Sequence, residues 1–86
     1  MLQLSTLLRI LNKLRRNLLI YKVEKGKVER FVIKYNTEVE VLLERLGYSL
    51  EGDRETIDFV DIWMDIHRKY SVRIIFNGER FVLKDV

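Results

Sequence analysis

The stretch ERFVIK at residues 29–34 returns fifty positions later as ERFVLK at residues 79–84, with only Ile33 replaced by Leu83. Read as strands, both copies alternate: Phe31 and Ile33 separate from Arg30, Val32 and Lys34, and Phe81 and Leu83 separate from Arg80, Val82 and Lys84. Each copy is the second arm of a hairpin. In LLIYKVEKGKVERFVIKY (residues 18–35) a three-residue loop Glu24, Lys25, Gly26, with Gly26 left-handed, sets Leu19, Tyr21 and Val23 on the face of Phe31, Ile33 and Tyr35. Ile20, Lys22, Val28, Arg30, Val32 and Lys34 then take the other face. In VRIIFNGERFVLKDV (residues 72–86) Asn77-Gly78 is the preferred type I′ turn, and Val72, Ile74 and Phe76 join Phe81 and Leu83. Arg73, Ile75, Arg80, Val82 and Lys84 are left opposite.

Helical periodicity precedes and separates the hairpins. Over residues 3–17, Leu4, Leu7, Leu11, Leu14 and Leu18 form a stripe, widened by Leu8 and Ile10, with Arg9, Lys13 and Arg16 outside it. Asn36 or Thr37 caps a short helix, TEVEVLLERLG, whose stop is Gly47. YSLEGD is the longest loop. Residues 54–70 read as a third helix, with Ile57, Val60, Met64 and His67 in one row, Phe59, Trp63, Ile66 and Tyr70 beside it, and Asp58, Asp61 and Asp65 on the wet side. The fold class is α+β in the order α-ββ-α-α-ββ, antiparallel hairpins packed on helices. At an offset of fifty Leu7, Ile10 and Leu14 align with Ile57, Val60 and Met64, so a duplicated helix-hairpin unit is one reading and convergent strand chemistry the other.

Eighty-six residues make a single domain, residues 1–86, too small for a deep cleft with a separate cofactor module. With no Cys, the chain forms neither a disulfide nor a thiolate metal site, and a cytoplasmic setting is expected. A charged fraction of 34%, rich in Lys, Arg and Glu, fits a thermophile or an AT-rich mesophile. The longest apolar run in the Leu-rich start is Leu18 to Tyr21, too short to span a bilayer. The helix there is expected on the domain's own sheet, not on a membrane surface.

Catalytic constellations do not assemble. His67 projects away from Asp61 and Asp65 on a helix, so the acidic row makes a poor metal site, and the pairs Arg54/Asp58 and Asp65/Lys69 suggest a solvated face laced with ion pairs. Ser5, Ser49 and Ser71 have no base beside them, and Gly26, Gly47, Gly52 and Gly78 are isolated turn residues. A non-enzymatic protein without cofactors is expected.

Charge placement points further. Residues 1–36 hold nine Lys or Arg against two Glu (+7), and residues 37–86 hold seven against eleven Asp or Glu (−4). A basic side built from Arg9, Lys13, Arg15, Arg16, Lys22, Lys25 and Lys27 suits nucleic-acid phosphates. If both hairpins share one sheet, Arg30, Lys34, Arg80 and Lys84 line its open face, with Arg73 nearby. Lys and Arg on exposed strands also block edge-to-edge aggregation, so the basic face carries two readings.

Residues 37–84 resemble a winged helix-turn-helix domain: VLLERLGYS is similar to its first motif helix and turn, residues 54–70 to its recognition helix, and VRIIFNGERFVLK to its wing. The resemblance implies DNA binding, with phosphates touched around Asn77 and Gly78. Because Asp58, Asp61 and Asp65 would repel phosphate, base reading is not carried over to that helix. The expected function is nucleic-acid binding, DNA or RNA. The alternative is a protein-interaction module, either a homodimer through the Leu stripe or an accessory subunit docking its acidic helix.

Overall fold

The computed structural model describes residues 1–84, which form three α-helices and two antiparallel sheets in the expected α+β order. Helix α1 (Leu4–Leu14) turns Leu7, Ile10, Leu11 and Leu14 into the core, each essentially inaccessible to solvent. The Leu stripe therefore faces the chain's own interior. A single 3₁₀ turn, Arg15–Asn17, hands the chain to β1 (Leu18–Glu24), which pairs with β2 (Lys27–Lys34).

The first hairpin differs from the sequence reading at both ends. Its turn has two residues, Lys25 and Gly26, both with positive φ (52° and 76°), and Glu24 pairs with Lys27. This is the type I′ geometry, whose twist matches the strands it joins. At the other end Leu18 pairs with Ile33 and Ile20 with Val32, so Leu19 is the extra residue of a β-bulge and points to solvent while Leu18 packs on the core. With Leu18, Leu19 and Ile20 all apolar, hydrophobic pattern alone could not set this register. A second register shift between Lys22 and Val23 brings Val28 against the core and leaves Val23 exposed.

Helix α2 (Thr37–Arg45) starts at Asn36, whose Oδ1 accepts from the Val39 amide at 2.9 Å and whose Nδ2 donates to Asn17 Oδ1 at 2.8 Å. One side chain thus caps α2 and ties it to the exit of α1. The helix closes at Gly47 (φ 94°), with the Tyr48 amide donating to the Leu43 carbonyl.

Residues 54–59 are not helical. Thr56–Asp58 form β3, which pairs with β2 on the side away from β1, and α3 spans only Val60–Tyr70. Ile57 and Phe59 are two apart and both buried, the period of a strand, and the amides of Tyr35 and Phe59 bond across to Glu55 and Phe31. The buried row of α3 is Trp63 and Ile66; Met64 is 55% exposed. At an offset of fifty the first half of α1 would overlay β3 and its second half the start of α3, where Met64 is exposed, so the helix stripe does not repeat intact with the strand motif. The helix-then-hairpin order does recur.

Strands β4 (Ile74–Phe76) and β5 (Phe81–Leu83) are joined by four residues, not by a two-residue Asn77-Gly78 turn. A two-residue turn would set Glu79 opposite Phe76 on the buried face. Instead Phe76 pairs with Phe81, and Asn77 Oδ1 accepts from the amides of Glu79 and Arg80, holding both in the loop. Ile74, Phe76 and Phe81 are buried, while Leu83 at the strand end is half-exposed.

The two hairpins lie in separate sheets, β1-β2-β3 and β4-β5. Both edges of β2 are occupied, by β1 and β3, so the second hairpin has no ladder position beside ERFVIK. Side chains fill its own edges. Asn12 on α1 donates through Nδ2 to the Phe81 carbonyl (3.1 Å) and accepts the Phe81 amide at Oδ1 (2.6 Å). On the other edge Trp63 Nε1 donates to the Ile74 carbonyl (3.0 Å), and His67 Nε2 lies within hydrogen-bond distance of both the Ile74 amide (3.1 Å) and the Ile74 carbonyl (2.9 Å). A proton on His67 Nδ1 gives every one of these groups a partner.

Aromatic packing joins the sheets in place of backbone bonds. Phe31 lies 5.3 Å from Phe76, 5.4 Å from Phe81, 5.6 Å from Trp63 and 5.7 Å from Tyr21, mostly edge to face. Such pairs contribute about 0.5–1.5 kcal/mol each beyond their burial. The phenylalanines of the two ERFV copies meet at the centre of the molecule.

Candidate nucleic-acid interface

The chain reversal after α1 and the four-residue loop before β5 enclose a hollow of about 530 Å³, lined by Ser5, Leu8, Arg9, Asn12, Lys13, Arg15, Arg16 and Arg80. Five cations from α1, the 3₁₀ turn and the β4–β5 loop converge there, and no carboxylate lines it. Asn12 fixes the arrangement, because its two bonds to Phe81 hold the residue next to Arg80 against the helix that carries Arg9 and Lys13. An adjoining hollow is lined by Arg15, Leu18, Phe76, Gly78, Glu79 and Arg80. Glu79 is the acidic group nearest in sequence to this cluster's Arg80.

Local structure explains the exposure of these cations. Arg9 lies on the outer side of α1, Arg16 projects from the 3₁₀ turn, and Arg80 stands in a loop, all exposed; Lys13 and Arg15 are half-buried. The Arg15 Nε atom is buried and has no acceptor among the described residues. A desolvated guanidinium donor without an acceptor is an unfavourable arrangement that an anion would relieve. Among the described residues none of the five forms an ion pair.

The remaining basic residues singled out in the sequence lie elsewhere. Lys22 and Arg30 are cross-strand partners on the outer face of the three-stranded sheet, with Lys34 further along β2. Val32 on this face is nonetheless buried, flanked by Ile20 and Asp58 as its cross-strand partners. Lys25 and Lys27 stand at the hairpin tip, and Arg73 and Lys84 flank the small sheet, where the Lys84 amide donates to the Arg73 carbonyl. A single basic face of Arg30, Lys34, Arg80 and Lys84 does not form, because the two hairpins are in different sheets and Arg80 joins α1.

The acidic helix is also more structural than its sequence suggests. Asp65 accepts a hydrogen bond from the Tyr48 hydroxyl and pairs with Lys69 (3.1 Å) and Arg68 (3.6 Å). The Tyr48 bond, then Lys69, hold its carboxyl below the usual range, while desolvation followed by the Asp65 bond pushes the Tyr48 phenol up. Lys69, bonded to Asp65 and 4.7 Å over the Tyr48 ring, is raised. Arg54 does not pair with Asp58; its Nη2 donates to the Glu51 carbonyl (2.6 Å), and Asp58 Oδ1 accepts from the Val60 amide instead.

A second hollow of about 530 Å³, nearly all apolar, lies between the hairpin tip and α3, lined by Lys27, Val28, Val60, Trp63, Met64 and His67. His67 there is committed to the β4 edge. Among the described residues, no helix is long and apolar enough to cross a membrane. No protein-family model matches the chain, and neither a curated protein nor a solved structure is similar enough to match it.

Proposed function

We propose that the protein binds nucleic acid, taking the phosphate backbone into the hollow between α1 and the β4–β5 loop. The observation that supports it is the convergence of Arg9, Lys13, Arg15, Arg16 and Arg80 on a concave surface with no carboxylate in its lining. Gathering like charges disfavours the compact state, and nothing in the core requires it. Lys22, Arg30 and Lys34 on the outer sheet face offer a further track for the backbone. The wing of a winged helix would correspond to β4–β5, and this reading uses that hairpin's loop through Arg80 while giving α3 no base contacts. The Leu stripe lends little support to the alternative of a homodimer, since Leu7, Leu11 and Leu14 are buried.

Fluorescence titration with random-sequence duplex DNA, single-stranded DNA and RNA tests the proposal. With about four phosphates neutralised, duplex affinity should fall about a hundredfold between 50 and 200 mM salt. Reversing Arg9 and Arg16 to Glu, or Arg80 alone, should each weaken binding, and reversing Lys22 and Arg30 should weaken it less. No binding of any of the three at low salt would refute the proposal.

A further inference from the structure

Three of the four outer strand edges are closed. Asn12 occupies the edge of β5, Trp63 and His67 occupy that of β4, and β3 is three residues long with Thr56 and Asp58 exposed. The fourth edge, β1, is covered by no side chain among the described residues, and a bulge at Leu19 is its one irregularity toward the open side. It is seven residues long, contains no proline, and among the described residues its backbone bonds to no strand but β2. Leu19, Ile20 and Val23 are exposed along it at 55%, 43% and 46%. Its one cation, Lys22, is matched by Glu24 at 3.7 Å, so even that charge is balanced within the strand. Long, largely apolar edges without net charge are ones that natural sheets normally protect.

The ladder also fixes which backbone groups face outward. The Phe31 carbonyl accepts from the Phe59 amide on the β3 side, so Phe31 directs its polar groups away from β1. Tyr21 pairs with Phe31, and in such a pair it directs its own N–H and C=O to the open edge. A donor and an acceptor are thus presented from one residue at the middle of the strand.

We propose that β1 pairs with β1 of a second copy, antiparallel across a two-fold axis at Tyr21, turning two three-stranded sheets into one of six strands. Centred there, self-pairing sets Leu19 opposite Val23 of the other copy on both sides of the axis. The two exposed apolar residues on that face become each other's partners. This self-complementarity, with the charge already neutralised inside the strand, selects a second copy over an unrelated extended peptide. The inference stands apart from nucleic-acid binding in the basic hollow and uses none of the residues that line it.

Because the chain contains no cysteine, Leu19→Cys combined with Val23→Cys is a probe without background. Residues directly opposite each other in an antiparallel pair have Cα atoms about 4.5–5.5 Å apart, within disulfide range. Positions 19 and 23 of one strand are roughly 13 Å apart and cannot bridge. Mild oxidation should give a covalent dimer, and sedimentation of the unaltered chain a monomer–dimer equilibrium. Leu19→Lys with Val23→Lys sets lysine against lysine across the axis and should raise the dissociation constant about tenfold or more. Both positions are exposed, and circular dichroism checks that the fold persists. A chain that stays monomeric to about millimolar concentration, or a dimer indifferent to the lysine pair, would overturn the proposal. So would protection of the Tyr21 amide from exchange only when an extended peptide is added to a monomeric chain.

Discussion

Replacing Asn12 with Ala tests the contact on which both the fold of the second hairpin and the basic hollow depend. The wild-type amide satisfies the N–H and C=O of Phe81, at 2.6 and 3.1 Å, and both bonds are partly buried. Ala removes both partners at once. A buried backbone group left without a partner costs about 1–3 kcal/mol, and because Asn12 borders an open hollow, water reaches the site and the lower end applies to each group. The total is about 2 kcal/mol, which for a domain of this size lowers the melting temperature by roughly 8–16 °C. Thermal denaturation followed by circular dichroism, with urea unfolding as a check, measures it. Asn12→Asp separates the two bonds: it keeps an acceptor for the Phe81 amide and loses the donor to the carbonyl. It should fall between wild type and Ala. Nucleic-acid affinity should also drop in Asn12→Ala although no charge is altered, because Arg80 is no longer held to α1. A melting temperature within about 2 °C of wild type would refute the reasoning, since β5 would then be placed by its aromatic side chains alone.

His67→Phe removes the acceptor for the Ile74 amide but leaves the carbonyl bonded to Trp63, so urea unfolding should show a smaller loss, about 1 kcal/mol. Lys25→Asn places a residue that tolerates the left-handed region at φ 52° and should raise stability by about 0.5 kcal/mol in the same assay. The lowered Asp65 carboxyl gives stability that is present above the ordinary Asp range and is lost as pH falls through its depressed value. Tyr48→Phe removes the largest cause of that depression, so in acid titrations followed by fluorescence the acid-dependent loss from this group should be smaller and complete at a higher pH than in wild type.

Long periodic signals were legible in the sequence. The α1 stripe, the Asn36 cap, the Gly47 stop and both hairpins follow from residues that have few other uses at those spacings. What could not be read were features decided by competition between equal local signals. Ile57 fits a helical row with Val60 and Met64 and a strand row with Phe59, and only the vacant edge of β2 chooses the strand. Asn77-Gly78 favours a two-residue turn, and only the need to keep Glu79 out of the core lengthens it. The hollow was half legible. Its α1 cations were evident from charge alone, but Arg80 reaches them through Asn12, 68 positions earlier in the chain. The available signal was Asn12 itself, an amide beside Leu11 at the margin of an apolar stripe, where a side chain that bonds backbone is the usual reason for polarity.

The two ERFV copies answer to the same structural demand and diverge in everything beyond it. Phe31 and Phe81 approach to 5.4 Å, so the repeated aromatic is the means by which two sheets without a shared ladder form one core. Ile33 is buried whereas Leu83 is half-exposed, because β2 is central and β5 ends at an edge. The arginines separate completely. Arg30 lies across from Lys22 on an open sheet face, while Arg80 stands in a loop and meets Arg9, Lys13, Arg15 and Arg16 across the hollow. Had the repeat been kept for binding, its cations would be expected to retain equivalent surroundings, and they do not. The identity of the motif therefore reflects what a strand beneath an aromatic core requires, and the basic hollow proposed for binding arises from where the second motif's loop meets the first helix.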